Sequence, residues 1–179
     1  NTPTNDWNDL GYTYSKAVVA RTQSGQWVAI FGNGYGSNGG KAALYVVNIA
    51  DGSLVQKVVV DDNTSGTTAE KAAGTGLSSP QVVVDAQGRI ERIYAGDMRG
   101  NLWGFTGASL TPFKLFAAGK TQPITAQPTV HAHPDGGHLV LVGTGKLNEA
   151  SDKLNKDVQA FYAIWDRPTN TSTVALANL

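Results

Sequence analysis

Apolar residues along this chain come in short runs separated by polar or glycine-rich breaks, and no stretch keeps the three-to-four-residue recurrence of an amphipathic helix. The clearest run is Ile93-Tyr94-Ala95-Gly96-Asp97-Met98-Arg99-Gly100-Asn101-Leu102-Trp103-Gly104-Phe105. Its pattern predicts two strands around a turn of Asp97, Arg99, Gly100 and Asn101, because Gly and Asn tolerate the positive φ of tight hairpins. The same construction occurs twice more. Trp27–Gly32 is followed, after a Gly-rich link, by Ala43–Asn48, and His138–Gly143 is followed by Ala160–Asp166. Each copy has a strand ending in Gly, a variable link, and a second strand carrying an aromatic, and Tyr45, Trp103 and Tyr162 recur at nearly even spacing. That is an internal repeat.

Flanking strands fill out each unit. Residues 15–21 and 54–60 bracket the first, Gln81–Asp85 and Pro112–Ala117 the second, and 126–133 opens the third. The prediction is an all-β protein, a β-propeller of about three four-stranded blades (approximately 15–60, 79–117 and 126–179) behind an N-terminal arm, residues 1–14. Closed propellers carry ~4–8 blades, so three predict part of a larger propeller. Two helical turns are expected, one near Ala69–Ala73 in the long polar loop 61–76, the other in the insert 146–157. Thr173–Leu176 is expected as an outer strand of the third unit.

Composition narrows this picture. One domain with a real core suits 179 residues, and 21 glycines suit many turns. Zero formal net charge gives no footprint for nucleic acid or an anionic membrane. No apolar run reaches the ~20 residues of a membrane helix. Absence of cysteine removes disulfides and thiolate chemistry without fixing a compartment. An opening at Asn1 without Met reads as a mature or excised piece.

Several constellations invite chemistry. Gly34–Gly39 fits G-x-G-x-x-G after a strand, but a strand rather than a helix follows, so the dinucleotide reading fails. His131, His133 and His138, with Asp135, cluster about one hairpin, where the turn is expected to bring His138 across from His133. Three imidazoles suit zinc or copper; solvated turn residues are the expectation. Asp97 and Asp166 end equivalent strands without a paired acid and are expected to bond turn amides. Ser78 and Ser79 lack a nucleophile elbow. The aromatics Tyr45, Trp103 and Tyr162 are expected between blades, and function in the loops 32–41, 61–76 and 146–157.

Taken in order, Asp9–Thr13, Trp27–Tyr35, Leu44–Val47, Gly76–Pro80, Tyr94–Phe105, Gln122–Pro128, Gly143–Gly145 and Gln159–Tyr162 resemble the C-terminal β-propeller of the PilY1/PilC family of type IV pilus tip adhesins. The resemblance implies a non-enzymatic factor in pilus assembly, twitching motility and surface attachment, located extracellularly at the pilus tip or outer-membrane-associated cell surface. Implied partners are minor pilins, the remainder of the same adhesin, and a host or abiotic surface. It also implies an EF-hand-like calcium loop before the Tyr94–Asp97 strand, which falls on Asp85–Glu91 here. Asp85, Gln87 and Glu91 are the side chains offering oxygen, whereas Ca²⁺ takes ~6–8 oxygens. That loop is about two residues short, and Arg89 sets a cation among the ligands. A plain hairpin turn without calcium is expected, and no organic cofactor. The rival classes are a quinoprotein-dehydrogenase-like propeller enzyme and a structural outer-membrane assembly scaffold.

Overall fold

The structure is a computed structural model describing residues 5–168 and 173–179; the first four residues of the expected arm and residues 169–172 of the expected tail lie outside it. Among the described residues, eleven strands form three antiparallel sheets. Blade 1 contains β1 (Val18–Arg21), β2 (Trp27–Gly32), β3 (Ala42–Asn48) and β4 (Leu54–Asp61), in that order. Blade 2 contains β5 (Gln81–Val84), β6 (Ile90–Gly96), β7 (Asn101–Thr106) and β8 (Pro112–Ala117). Blade 3 contains β9 (Thr129–Ala132), β10 (His138–Gly143) and β11 (Phe161–Asp166). Among the described residues it has no fourth strand. The expected outer strand at 173–176 does not complete it: Val174 bridges Phe116 on β8, its N–H donating to the Leu115 carbonyl, while Leu176–Asn178 turns into a 3₁₀ helix. The unpaired edge of β8 offers this segment free backbone groups, and an unmatched edge tends to attract a partner.

Two cores explain the hydrophobic patterns. One lies between blades 1 and 2 and holds Val28, Ile30, Leu44, Ile93, Ala95 and Phe105. The other lies between blades 2 and 3 and holds Tyr94, Leu102, Phe116, Val140, Val142 and Ile164. Alternate side chains of a strand point to opposite faces. In β6, Ile93 and Ala95 therefore fill the first core while Tyr94 fills the second. Blade 2 is covered on both sides, so the second half of β6, from Ile93 to Gly96, is buried without a break. In β2, buried positions alternate with less buried ones.

The glycine that ends the second strand of a blade has a steric cause in two of the three copies. A Cβ at Gly32 would run into the carbonyls of Leu77 and Ser78, and one at Gly96 into Ile124. The chain entering the next blade crosses these strand ends: Leu77 bridges Asp97 and Ile124 bridges Gly145, as Tyr12 bridges Tyr35 in blade 1. Antiparallel connectivity then gathers the β2–β3, β4–β5, β6–β7, β8–β9 and β10–β11 links at one end of the blades.

Candidate functional site

The three loops that the sequence marks for function meet at that end and frame one cleft of about 330 Å³. Loop 32–41 contributes Tyr35 and Gly36, loop 61–76 contributes Ala73 to Thr75, and the 146–157 insert contributes Lys146, Glu149, Asp152, Asn155 and Asp157. Met98, Lys120, Thr121 and Pro123 complete the walls from blade 2 and its exit. A recess of about 80 Å³ adjoins it, sharing Tyr35 and Met98 and adding Tyr12, Tyr14 and Asn148.

Polar side chains hold these loops. Asn33 is fully buried and uses all four of its bonding positions. Its Oδ1 accepts from the N–H groups of Ala43 and Leu77 at 2.9 and 3.0 Å, and its Nδ2 donates to the carbonyls of Asp9 and Lys41 at 2.8 Å each. One amide thereby ties the N-terminal segment, the 32–41 loop and the entry to blade 2. Arg99 does the same for loop 61–76. Its guanidinium donates to Asp61 Oδ2 and Asn63 Oδ1, both at 2.6 Å, and to the Glu70 carbonyl at 3.2 Å. Within the loop, α1 (Thr68–Ala73) starts in a capping box, Thr67 and Glu70 each bonding the other's backbone N–H. Glu70 also pairs with Lys120, and that ammonium with the Thr67 amide holds its carboxyl down to about 2. Both expected helical turns are present, the second as a 3₁₀ helix over Ala150–Leu154. There Asp152 caps the N–H groups of Asn148 and Glu149 at 2.8 Å and pairs with Lys146 at 3.1 Å.

Asp97 organises the blade-2 turn. Oδ1 accepts from the Arg99 and Asn101 amides at 2.8 and 2.9 Å, and Oδ2 from Asn101 Nδ2 and Trp103 Nε1 at 2.8 Å. Burial pushes this carboxyl above the usual carboxylate range, against the downward pull of those four donors. Asp166 is not its counterpart. Its partners lie across the blade interface: Tyr94 donates its hydroxyl to Asp166 Oδ2 at 2.6 Å, and Arg92 Nε stands 3.6 Å away. Burial and the Asp166 carboxylate together drive the Tyr94 hydroxyl pKa far upward.

The three histidines do not converge. His138 pairs with Ala132, and His131 with Leu139, so His138 faces the opposite side of the sheet from His131 and His133. His138 Nδ1 lies 3.2 Å from the Tyr94 hydroxyl, while His133 stacks on Trp165 at 3.9 Å. Among the described residues, no three His, Asp or Glu side chains gather as a metal would require.

The Asp85–Glu91 turn brings Asp85 and Gln87 together and leaves Glu91 apart. Asp85 Oδ1 accepts from the Gln87 and Arg89 amides at 2.9 and 2.8 Å, and Oδ2 from Arg89 Nε at 3.1 Å. Arg89 also reaches Gln87 Oε1, whereas Glu91 Oε1 stands 3.9 Å from His138 Nε2. These oxygens face N–H donors and a guanidinium, so the donor set does not fit a cation. The amides and Arg89 also lower the Asp85 pKa.

Of the three repeated aromatics, Tyr162 packs between blades, 4.9 Å from Phe116, and donates to Gln122 Oε1. Trp103 packs on the core between blades 1 and 2 while bonding its own turn. Tyr45 departs from expectation: it stacks between Trp7 and Phe31 and donates to the Asp6 carbonyl, fastening the N-terminal arm. Ser78 Oγ meets the carbonyls of Gly96 and Ile124, and Ser79 Oγ accepts from the Lys16 amide. Asn33, Arg99 and Tyr94 went unmarked in the sequence. Their partners lie up to 72 residues away, and only the Gly-Asn-Gly context of Asn33 gave a local signal.

Successive antiparallel sheets in chain order, packed against one another through the two cores, define the chain as blades of a β-propeller. The chain belongs to the PilY1 β-propeller family: the family model described as "PilY1 beta-propeller domain" matches residues 2–111. It is 38% identical to the type IV pilus biogenesis factor PilY1 of Pseudomonas aeruginosa strain UCBPP-PA14, over 90% of this chain. It is 34% identical to a PilY1 homolog of Xylella fastidiosa strain Temecula1, over 89% of this chain. The crystal structure of the Pseudomonas aeruginosa PilY1 C-terminal domain superposes with a TM-score of 0.77 at 33% identity, covering 94% of this chain. The chain spans 17% and 12% of the length of those two relatives and 41% of the solved chain.

Proposed function

We propose that this chain is a binding and assembly module of a type IV pilus biogenesis factor, with no catalytic role, acting through the loop-framed cleft. The observation that carries the proposal is the convergence of the three long loops on one site, each fixed by side-chain hydrogen bonds or ion pairs. Rigidly held loops on a β scaffold are where binding residues concentrate. Its partners are minor pilins, the rest of the same adhesin and a host or abiotic surface, at the pilus tip or cell surface. The relatives' naming as pilus biogenesis factors supports this, as does the use of the candidate acids in turns and blade joints rather than in a paired catalytic arrangement. The test is complementation of a strain lacking the parent factor with cleft variants such as Glu149→Gln/Asp157→Asn. Loss of surface pili, twitching and attachment at unchanged protein level is expected. Full complementation would refute a role for the cleft, and dye-linked alcohol oxidation with added quinone and calcium would favour the enzyme instead.

A further inference from the structure

The composition of the cleft and its neighbouring recess narrows the ligand. Tyr12 and Tyr14 are 62% and 82% exposed, unusual for large rings, and both lie on Tyr35, with ring centroids 5.4 and 6.2 Å away. The rings form a shelf at the mouth of the recess. Tyrosine and asparagine among glycine and serine, as found here, make adaptable protein-recognition surfaces with little entropy to lose.

Beside the shelf, the charges of the cleft are unevenly matched. Lys120 is held by Glu70, and Lys146 by Asp152 at 3.1 Å. Glu149 has only a share of Lys146, at 4.0 Å, and Asp157 has no ion pair among the described residues. Lys153 and Lys156 of the same insert lie outside the lining. Two carboxylates therefore stand over, and both line the cleft together with Tyr35.

An exposed aromatic face next to spare carboxylates suits a guanidinium better than an ammonium. Arginine stacks on tyrosine rings and binds a carboxylate through its planar fork. We infer that the cleft receives an extended peptide segment of a partner protein that presents an arginine, its guanidinium lying on the tyrosine shelf and bonding Glu149 or Asp157. This rests on the binding role proposed above and names the chemistry of the partner.

The test is panning of a phage-displayed heptapeptide library on the folded protein, with the Glu149→Gln/Asp157→Asn variant as counter-target. Enriched sequences should share an arginine. A synthetic enriched peptide should lose roughly tenfold in affinity against the double variant or against Tyr14→Ala, and also when its arginine becomes citrulline. Circular dichroism and the urea midpoint confirm that these exposed-site variants remain folded. No enrichment over an unrelated propeller, or enriched peptides lacking arginine, would overturn the inference. So would binding that is indifferent to all three changes. Failed pilus complementation without any arginine peptide would remove this inference and leave the binding role standing; arginine-peptide binding with full complementation would do the reverse.

Discussion

An Asp97→Asn substitution keeps the size of the side chain but reverses the hydrogen-bonding sense of one of its two ends. Both ends of the carboxylate face two N–H donors, at 2.8 to 2.9 Å. Whichever way the new amide rotates, its NH₂ confronts two donors, and two charge-assisted bonds disappear at ~1.5–3 kcal/mol each. Relief from burying a charge offsets part of that loss, leaving a net cost of about 2–4 kcal/mol. Such a loss is a large share of the ~5–15 kcal/mol by which domains are stable. With a urea slope of ~1–3 kcal/mol per molar, the midpoint should fall by about 1–2 M. Urea unfolding followed by tryptophan fluorescence reads this, since Trp103 is itself a partner. The result also reports the protonation state. Burial raises this carboxyl's pKa; had it risen enough to hold a proton at neutral pH, Asn would mimic it and stability would barely change. A midpoint within ~0.2 M of the parent would therefore refute the four-donor carboxylate.

Tyr94→Phe should cost about 1.5–3 kcal/mol in the same assay, because it strips the buried Asp166 of its 2.6 Å donor without changing packing; no loss would show the blade 2–3 joint to be apolar only. The Glu70 tether has a depressed folded pKa, so its contribution is complete above the ordinary glutamate value and is lost as pH falls through about 2. Protease nicking of loop 61–76 should accordingly stay suppressed at pH 4 and rise only toward pH 2, and nicking already at pH 4.5 would contradict it. Calcium added to the chelator-treated protein should leave the urea midpoint unmoved, because Arg89 and turn amides face the Asp85 oxygens; micromolar calcium binding lost in Asp85→Ala would overturn that.

Much of the fold was legible because strands of ~4–8 residues with glycine punctuation leave a local trace. The hairpin around Asp97, the repeat and both helical turns came from residues adjacent in sequence. Misplacements came where one residue of register or a distant partner decides the answer. His138 faces Ala132 instead of His133, and that single step moves its ring to the other side of the sheet. Val174 joined the edge of β8, and Tyr45 turned to the arm through Trp7; neither choice has a local cause. For the proposed site, loop length and polarity pointed to the three segments that frame the cleft. The side chains that hold the first two of them, Asn33 and Arg99, act on residues far along the chain, and beyond the Gly-Asn-Gly context of Asn33 they left no pattern to read.

The passage of residues 76–78 between blades carries a consequence for how the molecule opens. Leu77 donates its N–H to Asn33 and its carbonyl accepts from Gly34, both in blade 1. Next to it, Ser78 donates to the Gly96 carbonyl, and the Gly76 carbonyl accepts from Met98, both in blade 2. These three residues are a strip of backbone owned jointly by two sheets, so neither blade can unzip at this end without releasing the other. Local opening and global unfolding are then expected to converge at Leu77. Its amide should exchange with solvent as slowly as the central strands do, although it sits in a connection rather than a sheet.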